Sequence, residues 1–194
     1  MTRYMDFLPR PDQTPTKGQV LLSEPFLNDP YFRRTVVFLC EHNQDGSFGF
    51  VLNNYIDVEL EKIMDNMPAF EGRISIGGPV RNSNLYYLHT LGAEIAESVE
   101  IIPGVFMGGN FEHLKDLLIA GKVSKNDVRF FVGYSGWSPE QLEEEIKLKS
   151  WFVTSVSKEI VMNSDNDDLW KSILQTMGSK GKRVANLPED PNLN

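Results

Sequence analysis

Two almost unbroken apolar stretches, residues 35–41 (TVVFLCE) and 128–134 (VRFFVGY), leave this chain few ways to fold. Their β-branched and aromatic side chains favour strands. A strand with one wet face alternates apolar and polar residues. These two do not, so both of their faces need cover.

The remaining segments supply that cover. Residues 43–46 form a turn, with Gly46 free to take positive φ, and residues 47–52 return as a hairpin partner. Gly49 inside the returning strand points to a bulge or to a close backbone approach. Further short strands are expected at residues 20–22, 73–76, 85–89, 99–102, 105–107, 151–156 and 159–162. Asp57 can cap a helix over residues 58–67 that Pro68 ends. Asn110 caps a second helix, closed by Gly121. Ser138-Pro139-Glu140-Gln141 reads as a capping box opening a third. Asp165 or Asn166 caps a last helix that buries Leu169, Trp170, Ile173, Leu174 and Met177. Strands and helices do not alternate regularly. The pattern predicts an α+β fold in a single domain: one mixed, mostly antiparallel sheet with about four helices around it.

The length of 194 residues suits one domain over residues 18–178. Residues 1–17, with Pro9, Pro11 and Pro15, read as an extended arm packed through Tyr4, Phe7 and Leu8. Residues 179–194 read as a loose polar tail. No apolar run approaches the ~20 residues that a membrane helix needs, so no membrane partner is expected. The N-terminal stretch lacks the apolar core of a secretory signal. The single cysteine, Cys40, fits a reducing, cytoplasmic compartment. The net charge is −8. The best basic cluster, Lys180, Lys182 and Arg183, is followed by Glu189 and Asp190. A surface of this kind repels duplex DNA, so no direct nucleic-acid binding is expected.

No phosphate-binding loop, dinucleotide fingerprint, zinc-protease helix, paired-cysteine motif or nucleophile elbow is present, and no cofactor or metal is expected. The candidate site residues therefore come from strand ends and loops. Alternation places Cys40 and His42 on one face, roughly 7 Å apart. They read as a thiol–imidazole pair, or as a core cysteine beside a histidine bonded to the turn. Arg33 and Arg34 could grip an anion, or could bridge to Asp29. Gly77 and Gly78 offer an amide nest or a tight turn. Asn53 offers amide donors or simply ends its strand. Tyr134 and Trp137 sit in a strand-to-helix loop, where binding sites gather. Trp137 and Trp151 also read as core anchors. His113, on a helix, is expected to be exposed.

Taken together, these blocks are familiar. Residues 29–37 (DPYFRRTVV), running into Cys40-Glu41-His42-Asn43, Gly46, Gly49 and Asn53, resemble the AlgH/YqgE family of bacterial proteins. Gly77-Gly78-Pro79-Val80 with Leu88-His89 agrees in order and spacing. So does Gly133-Tyr134-Ser135-Gly136-Trp137 with Gln141-Leu142-Glu143 and Trp151. The resemblance covers about residues 18–178. The chain departs from it at Asn54-Tyr55, where the family often has a basic residue and proline. The resemblance implies a bent sheet, part of it barrel-like, in a bacterial cytosolic protein. The family is often labelled a transcriptional regulator.

The function expected from these residues is non-enzymatic. It is the regulatory binding of a small anionic or nucleotide-like ligand by Arg34, His42, Asn53, Gly77, Gly78, His89, Tyr134 and Trp137. The alternatives are a small-molecule hydrolase or transferase using His42 or His89 as base, and indirect regulation through a protein partner.

Overall fold

The computed structural model describes residues 14–189. Most of the arm, including Tyr4, Phe7 and Leu8, therefore lies outside the described residues. Strands β1 (Val20–Ser23), β2 (Val36–Asn43) and β3 (Gly46–Val51) form an antiparallel meander. Two further short strands follow, β4 (Tyr55–Ile56) and β5 (Ile74–Ile76), and pair with each other. The long strand β6 (Val80–His89) pairs with β8 (Val105–Met107), which pairs with β7 (Val99–Ile102). The central strand is β9 (Val128–Trp137). Its first part lies between β5, parallel, and β6, antiparallel, while its last three residues pair with β3. β10 (Trp151–Thr154) closes onto the outer edge of β1.

The strand path thus runs from β10 to β7 and has two ends. The sheet does not close, so the part that the resemblance implies to be barrel-like is not a closed barrel. Both end strands are only four residues long, a length that blunts an open edge without joining another.

Among the described residues, six α-helices cover the sheet: α1 (Leu60–Ile63), α2 (Phe111–Ile119), α3 (Gln141–Lys147), α4 (Lys158–Met162), α5 (Leu169–Thr176) and α6 (Gly178–Ala185). They seal three apolar clusters. Val36, Phe38, Cys40 and Phe50 face α4, α5 and α6 through Val161, Leu169, Trp170, Ile173 and Val184. Val37, Leu39 and Val51 face the opposite way, under Leu142 of α3. Ile74, Tyr87 and Phe130 pack under Leu60 of α1 and Leu114 and Leu118 of α2. Both faces of β2 and β9 are covered over residues 36–40 and 128–131, the heart of their apolar runs.

Four expectations need correcting. Residues 159–162 are helical rather than extended, because the turn from Lys158 buries Val161 and Met162 together. Residues 178–185 form α6 rather than a loose tail, with Gly181, Val184 and Ala185 buried. A Cβ at Gly181 would lie 2.1 Å from the carbonyl of Leu174, so only glycine lets α6 pack this closely on α5. The helix at 58–67 shrinks to one turn, since Met64 is extended and Asn66 takes φ 62°. The box at Ser138 is half made: its N–H donates to Gln141 Oε1 at 3.0 Å, but α3 starts only after Glu140, at φ 64°.

Candidate functional site

The eight nominated residues do not share one hollow. Arg34 and Asn53 come together. Arg34 takes φ 50°, and its carbonyl accepts from Asn53 Nδ2 at 2.9 Å. Asn53 Oδ1 in turn accepts from the Val36 N–H at 2.8 Å. Asn53 therefore shapes the turn and has little left to offer a ligand. The Arg34 guanidinium lies 5.2 Å from the Trp170 ring centre. Its Nη2 donates to the carbonyls of Leu187 and Pro188, at 2.7 and 2.6 Å. Arg33 holds the next carbonyl, that of Glu189. Arg34 Nε is buried and has no hydrogen-bond partner. These groups border a hollow of about 280 Å³, with Lys171 on one side and the exposed Asp167, Asp168 and Glu189 at its rim. Burial lowers the pKa of Arg34, and Glu189 opposes that shift. The bridge from Asp29 to an arginine does not form. Asp29 Oδ1 instead accepts from the N–H groups of Tyr31 and Phe32, at 2.8 and 3.1 Å.

His42 and Cys40 do not share a face. The β2–β3 register shifts between Leu39 and Glu41, so Cys40 is the extra residue of a bulge. A bulge reverses the alternation beyond it. Cys40 therefore stays in the core, where burial raises its thiol pKa. Glu41 pairs with Phe48, and His42 with Ser47 on the α3 side. His42 Nδ1 and Ser47 Oγ are 2.7 Å apart, and Nε2 lies 3.6 Å from Glu143 Oε1. The thiol–imidazole reading is thereby excluded.

Gly77 and Gly78 serve close packing. The Gly77 N–H donates to Val132 at 2.8 Å, and its carbonyl accepts from Val51 N–H and Ser135 Oγ, each at 2.9 Å. A Cβ at Gly78 would sit 2.3 Å from the Tyr134 carbonyl carbon. The Gly77 amide is thus committed to the sheet and not to an anion nest. His89 is fully buried. Its Nε2 bonds the Gly108 carbonyl at 3.0 Å, and the Leu91 N–H donates to Nδ1 at 3.2 Å. Burial lowers its pKa, against the pull of the Gly108 bond, so it stays neutral and enclosed. It has no path to act as a general base. Trp137 is a core anchor. Its indole and that of Trp151 both donate to Glu145 Oε2, at 3.0 and 2.7 Å.

Tyr134 opens onto a different and larger hollow, of about 660 Å³, on the β3–β9–β6 face. Phe48, Tyr86 and Val80 share its wall with Glu41 and Arg81. Sequence reasoning missed Phe48 and Tyr86. Their convergence with Glu41 depends on the Cys40 bulge and on strand neighbours far apart in the chain. It also missed Arg129, whose lone charge in an apolar run was the available signal.

Comparison with known proteins places this architecture. Residues 20–182 match the family described as AlgH-like. The chain belongs to the AlgH-like family. A UPF0301 protein of Cytophaga hutchinsonii is 39% identical over 180 residues, covering 92% of this chain and 99% of that protein. A UPF0301 protein of Bacteroides thetaiotaomicron is 36% identical, covering 93% and 92%. Among solved structures, the AlgH protein from Pseudomonas aeruginosa is similar at a TM-score of 0.71 and 24% identity, covering 92% of this chain and 98% of that one. A Corynebacterium diphtheriae protein is similar at a TM-score of 0.77 and 23% identity, covering 95% and 98%. These AlgH-like likenesses establish the fold. Among the described residues, no helix is long and apolar enough to cross a membrane.

Proposed function

We propose that this AlgH-like protein is a non-enzymatic, cytoplasmic binding protein that takes a small anionic or nucleotide-like ligand in the hollow beside Arg34. The observation that carries the reading is the unpartnered, buried Nε of that arginine. Carboxylates and phosphates engage a guanidinium through two adjacent N–H groups. At Arg34 one such group, Nη2, is occupied by two backbone carbonyls, while Nε has none. Arg34 is half-buried and feels the charge of Glu189, but its Nε has lost water without gaining an acceptor, and an anion at that edge would offset the lost solvation. Lys171 adds a second cation. The rim carboxylates are exposed, so water and salt screen their repulsion.

Regulation, in this reading, runs through the ligand or a protein partner and not through DNA. The net charge is −8, and the cations of α6 are only Lys180, Lys182 and Arg183. Flow through a heparin column at low salt is the expected behaviour; retention with steep salt dependence would reverse this part of the assignment.

Calorimetric titration with inorganic phosphate and with adenosine monophosphate tests the site. Saturable binding that weakens by about tenfold or more in Arg34→Gln is expected, given the strength of charge-assisted pairs. No heat with either probe, or equal affinity in Arg34→Gln, would remove the proposal. A hydrolytic reading keeps one observation in its favour, the Ser47–His42–Glu143 chain. Covalent labelling of Ser47 by a fluorophosphonate probe would move the assignment to an enzyme.

A further inference from the structure

The second hollow has a different chemistry and does not depend on the Arg34 site. Its walls are aromatic rings set edge to face. Tyr134 lies 5.9 Å from Phe48 with the rings at 78°, and 5.7 Å from Tyr86 at 81°. All three rings are partly exposed and line the hollow. Gly136 pairs with Phe48 across β3 and β9 and puts no side chain between these walls. A Cβ there would come within 3.2 Å of the Tyr134 ring.

The Cys40 bulge then adds a charge. Because it reverses the alternation of β2, Glu41 falls opposite Phe48, on the aromatic side. Without the bulge this carboxylate would face α3, where Glu143 and Glu145 already stand. Asp45, in the hairpin turn, borders the same hollow. Among the described residues, Arg81 is the one cation on its wall. It sits at φ 45° beside the register shift of β6 and, among the described residues, makes no ion pair. Two carboxylates against one guanidinium leave the rim net acidic.

Aromatic faces attract cations through their quadrupole, and most strongly those that shed water easily. Quaternary ammonium and guanidinium groups meet that condition better than a compact, strongly hydrated ammonium. From the three rings and the bulge-directed Glu41, we propose that this hollow binds a small, weakly hydrated organic cation. Arg81 opposes entry and lowers affinity. The volume suits a whole small molecule more than a lone methyl-ammonium head.

Titration of the full chain with choline and with arginine methyl ester, followed by NMR shifts of the tyrosine rings, tests this. Saturable shifts below about 10 mM are expected. The neutral carbon isostere of choline, 3,3-dimethylbutanol, should bind at least about tenfold more weakly, since it lacks the charge that the rings and Glu41 recognise. Glu41→Gln should weaken choline by about three- to tenfold, and Arg81→Ala should tighten it. Tyr134→Leu should abolish the shifts; if that variant fails to fold, the two surface variants decide. Equal binding of the neutral isostere would overturn the proposal. So would the absence of any saturable shift, or affinity unchanged in both Glu41→Gln and Arg81→Ala. Phosphate and adenosine monophosphate probe the Arg34 site separately, so the two proposals fail or survive independently.

Discussion

Arg129 brings a guanidinium into the interior with 1% of its surface exposed and, among the described residues, no carboxylate partner. Backbone oxygens take its place. Nη1 donates to the Val161 carbonyl at 2.6 Å, and Nη2 to the Leu52 carbonyl at 2.6 Å. The Phe131 ring lies 5.3 Å away. Burial pushes its pKa down to about 10, which still leaves it charged at neutral pH. One side chain thus ties the end of α4 to the end of β3. Arg129→Met should cost about 2–4 kcal/mol, because the Val161 carbonyl would lose its guanidinium donor and the Leu52 carbonyl would keep only the Ser75 hydroxyl, at 3.2 Å. The urea midpoint at unchanged slope reads this out, and a loss under about 0.5 kcal/mol would refute the account. An arginine inside an apolar run was visible in the sequence. Its acceptors were not, since they lie 32 and 77 residues away along the chain. Arg34 shows the same limit: the arginine pair stood out, but the carbonyls that hold it come from the far end of the chain.

Among the elements, the β2–β3 hairpin matters most for both hollows. Gly49 lies opposite Leu39, beside the bulge, and its absent side chain would stand 2.2 Å from the Phe38 carbonyl oxygen. That neighbour is backbone, so relief requires the strands to part. Gly49→Ala should destabilise by at least about 2 kcal/mol and lower Tm by at least about 5 °C. Gly121→Ala makes a matched control: φ is 65° but nothing lies within 4 Å, so only about 1 kcal/mol should be lost. Equal effects in a thermal melt would show that close approach at Gly49 is not the cause. The strand pair and its glycine were legible, because β-branched runs and turn residues are local signals. The bulged residue was not, since its choice depends on the register that β3 shares with β9. Without the bulge, plain alternation would return His42 to the face of Cys40. The α4 segment misled for a similar reason: Glu159-Ile160-Val161-Met162 carries β propensity, and packing against the Phe38 side of the sheet overrides it.

At the scale of the molecule, the C-terminal segment is structural. α6 buries Val184 and Ala185 against the cluster that also holds Phe38 and Trp170, and residues 187–189 are held by Arg33 and Arg34. Ending the chain after Met177 should lower Tm by at least about 10 °C and expose dye-binding apolar surface, since one core wall is lost. A melt within about 2 °C of the full chain would restore the loose-tail reading. The α6 signal was faint because glycine, not an apolar residue, makes its closest contact with α5. Composition, apolar periodicity and turn residues were enough for an α+β domain with a mostly antiparallel, doubly covered sheet, because these are properties of neighbours along the chain. Membership of the AlgH-like family was legible in three blocks for the same reason. Which polar groups meet is another matter. It follows from strand order, from one bulge and from where the last helix returns, and these arise from contacts between residues far apart in sequence. For that reason the nominated residues divide between two hollows and the core, and a phenylalanine, two tyrosines and a glutamate converge where local patterns gave no sign of it.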